Sequence, residues 1–353
     1  MKKKLLVLFG GESSEHEVSC VSAANVCENA DKNIFDIILM GITKDGKWWL
    51  YDGGTEHMRS HSWQEDTANL RPAVISPCKA HHGILVFDKL RSSFEIVHID
   101  IVFPVLHGRN GEDGRMQGLL ELSGIPYVGS DTFASAVGMD KEATKLLCRN
   151  AGVPVVPFIV AYEGEDEAAL AEKSEREYGF PVFVKPANAG SSVGITKAHN
   201  EKELLSGIRL AFENDKKLLI EPAVEGREIE IAVYGNEALT ASVCGEIIPH
   251  SDFYDYETKY INDSAECIAP AEVAPEVSDK MREAACRVYK VLGCAGLSRV
   301  DFFLTDTGFM LNEINTLPGF TPISMYPKLM QCMGVSYGGL ITGLAELAEK
   351  RHG

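Results

Sequence analysis

In the segment "SRVDFFLTDTGFMLNEINTLPGFT" (298–321), Arg299 and Asp301 stand two residues apart, and so do Glu313 and Asn315. On extended backbone that spacing puts both members of each pair on one face, and a hairpin would lay the two faces side by side. Asp301, Glu313 and Asn315 then form a compact set of hard oxygen donors. Such a set suits Mg²⁺, which takes few carboxylates and keeps its other positions for phosphate and water. A solvated strand face is the competing reading. It fits isolated charges, but these are flanked by Phe302-Phe303 and Met310-Leu311.

A second stretch, "GFPVFVKPANAGSSVGITK" (179–197), has the composition of a phosphate cradle. Small residues let backbone N–H groups approach phosphate oxygens. No Gly-Lys-Ser/Thr follows the glycines, so it is not a P-loop. Its lysine, Lys185, comes before the loop, at the end of a strand-like run. Taken alone, the loop is nearly as well explained by a plain tight turn.

Three groups of elements would position these residues. Residues 1–130 alternate strand-like runs (4–9, 35–41, 94–108, 124–130) with helical patterns (18–30, 116–122). Alternation of this kind predicts a mostly parallel sheet covered on both sides, with ligands beyond the strands' carboxyl ends, near 10–14 and 107–114. Residues 131–222 begin with a helix-like bridge (131–151). Strand-like runs at 153–160, 180–185, 193–198 and 217–226 follow, with helices near 166–177 and 201–213. In residues 223–353, strands at 227–235 and 238–248 suggest an antiparallel sheet. A polar, irregular stretch at 249–270 is long enough to be a lid. Helix 276–291, strands 297–304 and 308–315, and helices at 322–332 and 338–350 complete this unit. The fold class is α/β plus α+β.

Composition narrows the functional classes. A chain of 353 residues accommodates two or three domains. With 45% hydrophobic and 24% charged residues, it has the balance of a protein with substantial cores. A formal charge of −17 argues against nucleic acid or an anionic membrane as partner, since both reward clustered Lys and Arg. The apolar run in "MKKKLLVLF" is too short for a signal peptide and reads as a first strand, and no run reaches transmembrane length. Nine cysteines without a C-x-x-C pair look like small buried hydrophobes in a reducing cytoplasm.

Lys185 with its glycine loop, Glu221 and Glu228, and the Asp…Glu-x-Asn set together resemble the ATP-grasp superfamily, in which two α+β units grip ATP between two sheets. The motifs "LFGGESSEHEVS" (8–19), "LHGRNGEDG" (106–114), "MDK" (139–141), "VKPANAGSSVG" (184–194), "FYDYETKY" (253–260), "SRVD" (298–301) and "NEINTLPGFTPISMYP" (312–327) narrow the resemblance to the D-alanine–D-alanine ligase family, over essentially the whole chain. The resemblance implies ATP and Mg²⁺ or Mn²⁺ as two ions, D-alanine and a second D-amino acid as substrates, and a cytoplasmic homodimer. It implies that ATP phosphorylates one D-alanine carboxylate and that the second amine attacks the acyl phosphate. Glu15 would hold the first ammonium, with His107 and Glu112 lining the same pocket; a helix-dipole charge is the competing reading for Glu15. Arg299 and the Gly319 N–H would form an oxyanion site. Lys141 and Lys185 would bind α/β-phosphates under a loop carrying Ser191 and Ser192, with Glu221 on the adenine amino group and Glu228 on the ribose. Lys259 would reach the γ-phosphate and the second carboxylate, which Ser324 would also hold. Glu15, Ser191 and Tyr260 match a hydrogen-bonded triad that joins the three domains.

The second substrate is less sharply marked. Lys259-Tyr260 favours an amine nucleophile over D-lactate. Met325 stands where D-serine-using relatives often carry arginine, and an apolar wall is compatible with D-alanine. Against this, "WQEDTANLRPAVISP" (63–77) is similar to a D-serine ligase branch, and Pro322-Ile323 differ from the Ser-His of some members. A non-catalytic nucleotide or amino-acid sensor on the same scaffold is the alternative from another class.

Overall fold

The computed structural model describes residues 2–88, 91–190, 193–249 and 265–352. Its first elements are β1 (Lys3–Gly10), α1 (His16–Asn29), β2 (Phe35–Ile42), β3 (Trp48–Tyr51), α2 (Thr55–Arg59), β4 (Leu70–Ile75), β5 (Gly83–Asp88), β6 (Ser93–His98), β7 (Ile101–Pro104) and α3 (Arg115–Ser123). The strands form one sheet in the order β6-β5-β4-β3-β2-β1-β7. β1 is apolar throughout its core because both of its faces are covered. Leu5, Val7 and Phe9 pack with α1, while Leu6 and Leu8 pack with Leu120 of α3.

The sheet is parallel only across β7-β1-β2. From β2 outward to β6 every pairing is antiparallel, which corrects the expectation of a mostly parallel sheet. Short links such as 43–47 and 76–82 join these strands, and short links permit only antiparallel neighbours. The apolar run 94–108 is also two strands rather than one. Its first part, β6, is largely exposed at one edge of the sheet, and its second, β7, is buried at the other. Asp100 lies between them, and its Oδ2 accepts a hydrogen bond from the Lys4 backbone N–H at 2.7 Å.

Next come α4 (Thr132–Met139), α5 (Lys141–Asn150), β8 (Ile159–Tyr162), α6 (Glu167–Tyr178), β9 (Val182–Pro186), β10 (Thr196–Ala198), α7 (Glu201–Asn214) and β11 (Lys217–Pro222). The expected single helix over 131–151 is two, because Asp140 leaves helical geometry and caps α5, accepting from the Ala143 N–H at 3.0 Å. The strands form an antiparallel sheet, β10-β9-β11-β8, whose core includes Val184, Ile220, Leu204 and Ile208. The glycine-rich loop leaves the end of β9.

The last part contains β12 (Arg227–Gly235), β13 (Thr240–Ala241), β14 (Gly245–Pro249), β15 (Ala265–Ile268), α8 (Pro275–Val291), β16 (Gly296–Thr305), β17 (Gly308–Asn315), α9 (Met325–Cys332) and α10 (Tyr337–His352). β15-β14-β12-β16-β17 is antiparallel, with β13 beside β12. Met281 and Val288 of α8 pack on one face. On the other, Leu329 and Leu344 join a core that continues into the first sheet through Leu5, Val7 and Phe103. At the end of α10 the Arg351 guanidinium lies 4.4 Å from the centre of the Tyr127 ring, tying the last helix to the first unit. Among the described residues, no helix is long and apolar enough to cross a membrane.

Candidate active site

The β16–β17 hairpin sets Asp301 opposite Glu313 and Arg299 opposite Asn315, and the register breaks immediately after Asp301. Arg299 donates from Nε to Asp301 Oδ1 at 2.8 Å and from Nη2 to Oδ2 at 2.7 Å. Its Nη2 also lies 3.1 Å from Glu230 Oε1 on β12. Asn315 Nδ2 donates to Asp301 Oδ2 at 3.0 Å. Two opposed carboxylates and a carboxamide therefore share one face: the spacing sets each pair, and the register break brings Glu313 opposite Asp301. Among the described residues no cluster of three or more His, Cys, Asp or Glu could enclose a metal. A donor set this small fits an ion that draws the rest of its shell from phosphate and water, as Mg²⁺ does.

A second charged group lies where α5, β9 and β11 meet. Glu221 Oε2 is 2.8 Å from Lys185 Nζ, and its Oε1 is 2.9 Å from Lys145 Nζ. Burial opposes the charge on Glu221, but the two ammonium groups outweigh it and hold the carboxyl below its ordinary range. Burial likewise opposes the Lys185 charge, yet Glu221 lifts its pKa above that of an ordinary lysine. For Lys145 burial wins, and its pKa is lowered. Lys185 also donates to Asn312 Oδ1 at 3.2 Å, which links this group to β17. Lys141, the first residue of α5, donates to the Ala189 carbonyl in the glycine-rich loop at 2.7 Å.

The third group gathers around Glu15, the residue before α1, which is buried. A Cβ on Gly108 would stand 2.5 Å from Glu15 Oε2, and one on Gly190 would stand 3.0 Å from it. Glycine at both positions lets two loops close on one carboxylate. Glu112 Oε2 accepts from the Gly108 N–H at 2.7 Å. Burial, with Glu15 adding like charge, pushes the Glu112 carboxyl up to about 8. His107 is buried, with Nδ1 3.2 Å from the Leu317 carbonyl, so its proton sits on Nδ1. Burial lowers its pKa to about 4.

Near Gly319, the Ser324 hydroxyl accepts from the Thr321 N–H at 3.0 Å. A Cβ on Gly319 would meet Ser324 Oγ at 2.8 Å. Met325 follows, at the start of α9, and is 3% exposed. It belongs to the large core, and a Cβ on Gly245 would lie 2.8 Å from its Sδ. That packing is the alternative to its expected place on an acceptor-pocket wall. A cavity lined by Glu112, Lys141, Gly190, Glu313 and Asn315 lies between the hairpin, the start of α5, the glycine-rich loop and the loop that carries Glu112. Ser191, Ser192, Lys259 and Tyr260 lie outside the described residues, as does most of the expected lid.

Two family profiles match this chain. "D-ala D-ala ligase N-terminus" covers residues 4–130, and "D-ala D-ala ligase C-terminus" covers residues 147–346. The chain belongs to the D-alanine–D-alanine ligase family. It is similar to the D-alanine–D-alanine ligase of Acetivibrio thermocellus, at 46% identity over 99% of this chain and 97% of the relative. Similarity to D-alanine–D-alanine ligase A of Escherichia coli K12 is also 46%, with the same coverage. Among solved structures, the VanG D-Ala:D-Ser ligase of Enterococcus faecalis superposes with a TM-score of 0.89 at 42% identity, covering 99% of this chain and 100% of that one. The D-alanine–D-alanine ligase of Coxiella burnetii superposes with a TM-score of 0.86 at 35% identity, covering 99% and 95%.

Members of this family are ATP-dependent ligases with the ATP-grasp fold. In this ligase, Lys141 of the residues expected at the phosphates, Glu313 and Asn315 of those expected at the metal, and Glu112 of those expected at the first amino acid line one cavity. The expected adenine acceptor, Glu221, is tied to two lysines, Lys145 and Lys185. Lys145 is the residue that sequence reading passes over. Its signal is weak but present, since it shares the buried face of α5 with Thr144 and Cys148.

Proposed function

We propose that this ligase joins two D-alanines into D-alanyl-D-alanine for peptidoglycan precursors, in the cytoplasm and as a homodimer. The observation that carries the reading is the single cavity bringing Glu112 from the first unit, Gly190 from the glycine-rich loop, and Glu313 and Asn315 from the metal hairpin face to face. One cavity is thus lined by residues proposed for the first amino acid, the phosphates and the cation.

Glu15 holds the ammonium of the first D-alanine and leaves its carboxylate toward the phosphates. A carboxylate oxygen attacks the γ-phosphorus of ATP, the bond to the β-phosphate oxygen breaks, and ADP departs from D-alanyl phosphate. The amine of the second D-alanine then attacks the acyl carbon, and inorganic phosphate leaves as the amide bond forms. Asp301, Glu313 and Asn315 would hold two Mg²⁺ or Mn²⁺ ions, which would supply positive charge to the transferring phosphoryl group. Lys141 and Lys185 bind the α/β-phosphates. Glu221 accepts from the adenine amino group, and Glu228 receives the ribose hydroxyls. Arg299 and the Gly319 N–H stabilise oxygen charge in the tetrahedral intermediate. Ser324 and Lys259 hold the second carboxylate, and Lys259 also meets the γ-phosphate. Ser191 and Ser192 close over the phosphates, and Ser191 and Tyr260 complete a triad with Glu15. Shielding the acyl phosphate from water is the task of the segment 249–270.

D-Serine as second substrate is favoured by one observation, the likeness to the E. faecalis D-Ala:D-Ser ligase. D-Alanine is favoured by the 46% identity to two ligases named for it. Phosphate release with ATP and D-alanine alone, and with D-serine or D-lactate added, tests the reading. Release with D-alanine alone, giving the dipeptide, supports it. Release only when D-serine is added overturns it in favour of the second reading.

A further inference from the structure

Each oxygen of Glu221 has its own lysine, Oε1 with Lys145 and Oε2 with Lys185. The two lysines differ in what else they can reach. Lys185 is 12% exposed and donates to Asn312, the residue before Glu313 on β17. Lys145 is 1% exposed and sits on the buried face of α5, which packs on β17 and α8. A buried ammonium is costly unless it is paired, and a hydrophobic side chain of similar volume there would spare that cost. Glu313 and Glu228 act on Lys185 from β17 and β12, and the Tyr178 phenol feels Glu221 from α6. Lys145 is thus the cation best placed to serve Glu221 while Lys185 turns to another anion.

We propose that Lys145 is a positioning residue for recognition of the nucleotide base. It keeps Glu221 ionised and aims its carboxylate as an acceptor for an exocyclic amino group, which releases Lys185 to the phosphates. This rests on the reading, given above, that Glu221 meets the adenine amino group. Without Lys145, a Glu221 whose other lysine has turned to phosphate would be buried with too little compensating charge. It would then take up a proton or rotate, and either change weakens it as an acceptor.

The test compares ATP with purine riboside 5′-triphosphate, which lacks the 6-amino group, as substrates of the full-length enzyme. The ratio of their kcat/KM values measures recognition of that group. Glu221→Gln should lower the preference for ATP by at least about tenfold, the scale of a lost hydrogen bond to a charged group. Lys145→Met should lower it comparably, raising KM for ATP more than KM for D-alanine, and Lys145→Arg should restore part of it. In the Glu221→Gln background, Lys145→Met should change the ratio no further, because Lys145 acts through Glu221. Should Lys145→Met not fold, Lys145→Gln and the double variant Lys145→Met/Glu221→Gln carry the same comparison. A folded Lys145 variant with the wild-type ratio overturns the proposal while leaving the role of Glu221 intact. A further loss in the Glu221→Gln background also overturns it. An unchanged ratio in Glu221→Gln removes the base-recognition reading and the proposal with it.

Discussion

Asp301 on β16 and Glu313 on β17 face each other directly across the hairpin, one position before its register breaks. Like charges so placed destabilise a sheet. Arg299 offsets part of that by gripping Asp301 with two hydrogen bonds, and the proposed cation would offset the rest. Glu313→Gln separates the two consequences. The folded protein should keep close to wild-type stability, because the lost repulsion of Asp301 is set against a lost attraction to Lys185. Turnover should fall by at least about a hundredfold, because an anionic ligand to the cation is lost. Thermal unfolding and steady-state phosphate release across a Mg²⁺ titration check both. Near-wild-type turnover at ordinary Mg²⁺ would refute the ligand assignment.

Gly108 controls access to Glu15. It has φ +68°, where a side chain is strained, and a Cβ there would press on the Glu15 carboxylate. Gly108→Ala should raise KM for the first D-alanine about tenfold or more and leave ATP affinity within about threefold, if Glu15 holds the ammonium. Equal effects on both substrates would point to a general collapse of the loop instead.

Stability should depend on pH from two sides. The folded Glu112 carboxyl, at about 8, keeps a proton that the unfolded chain gives up near its ordinary 4.5. Its contribution is complete below about 4.5 and is lost as pH rises through about 8. His107 runs the other way. Its folded value of about 4 lies below the ordinary 6.5, so its contribution is complete above 6.5 and is lost as pH falls toward 4. Melting temperatures from pH 4 to 9 should show Glu112→Gln flattening the alkaline limb and His107→Asn the acid limb. Limbs with the wild-type slope in both variants would contradict these environments.

Met325 offers a sharper experiment than acceptor kinetics alone. Its side chain fills core space against Gly245, so Met325→Leu should cost less than about 1.5 kcal/mol. Met325→Arg would bury an unpaired guanidinium and should destabilise the protein by about 3 kcal/mol or more. Urea unfolding of both variants, paired with competition between D-alanine and D-serine, resolves its role. An arginine variant as stable as wild type, with its acceptor ratio moved toward D-serine, would place this side chain on the substrate pocket after all.

What local sequence determines here is the metal hairpin and the placement of Lys185. The two-residue spacing pairs Arg299 with Asp301 and Glu313 with Asn315, but the register set by the turn would place Asp301 opposite Asn312, and the irregularity after Asp301 is what brings Glu313 onto its face. The strand at 227–235 likewise coincides with β12, an extended run bounded by Gly226 and Gly235 and buried without a break from Ile229 to Val233. Tertiary structure decided the rest. The first sheet is mixed because links too short for a crossover return the chain antiparallel, and apolar runs alone do not distinguish an edge strand from a buried one. Glu15, Gly108 and Gly190 come from three distant segments, and no periodicity in any of them encodes their approach. Lys145 looks in sequence like any helical lysine, and only the packing of α5 on β17 and α8 buries it against Glu221. Short-range geometry is set by the backbone and can be read residue by residue. Long-range pairing is chosen by the burial of whole faces, and that choice exists only once the sheets and helices have packed.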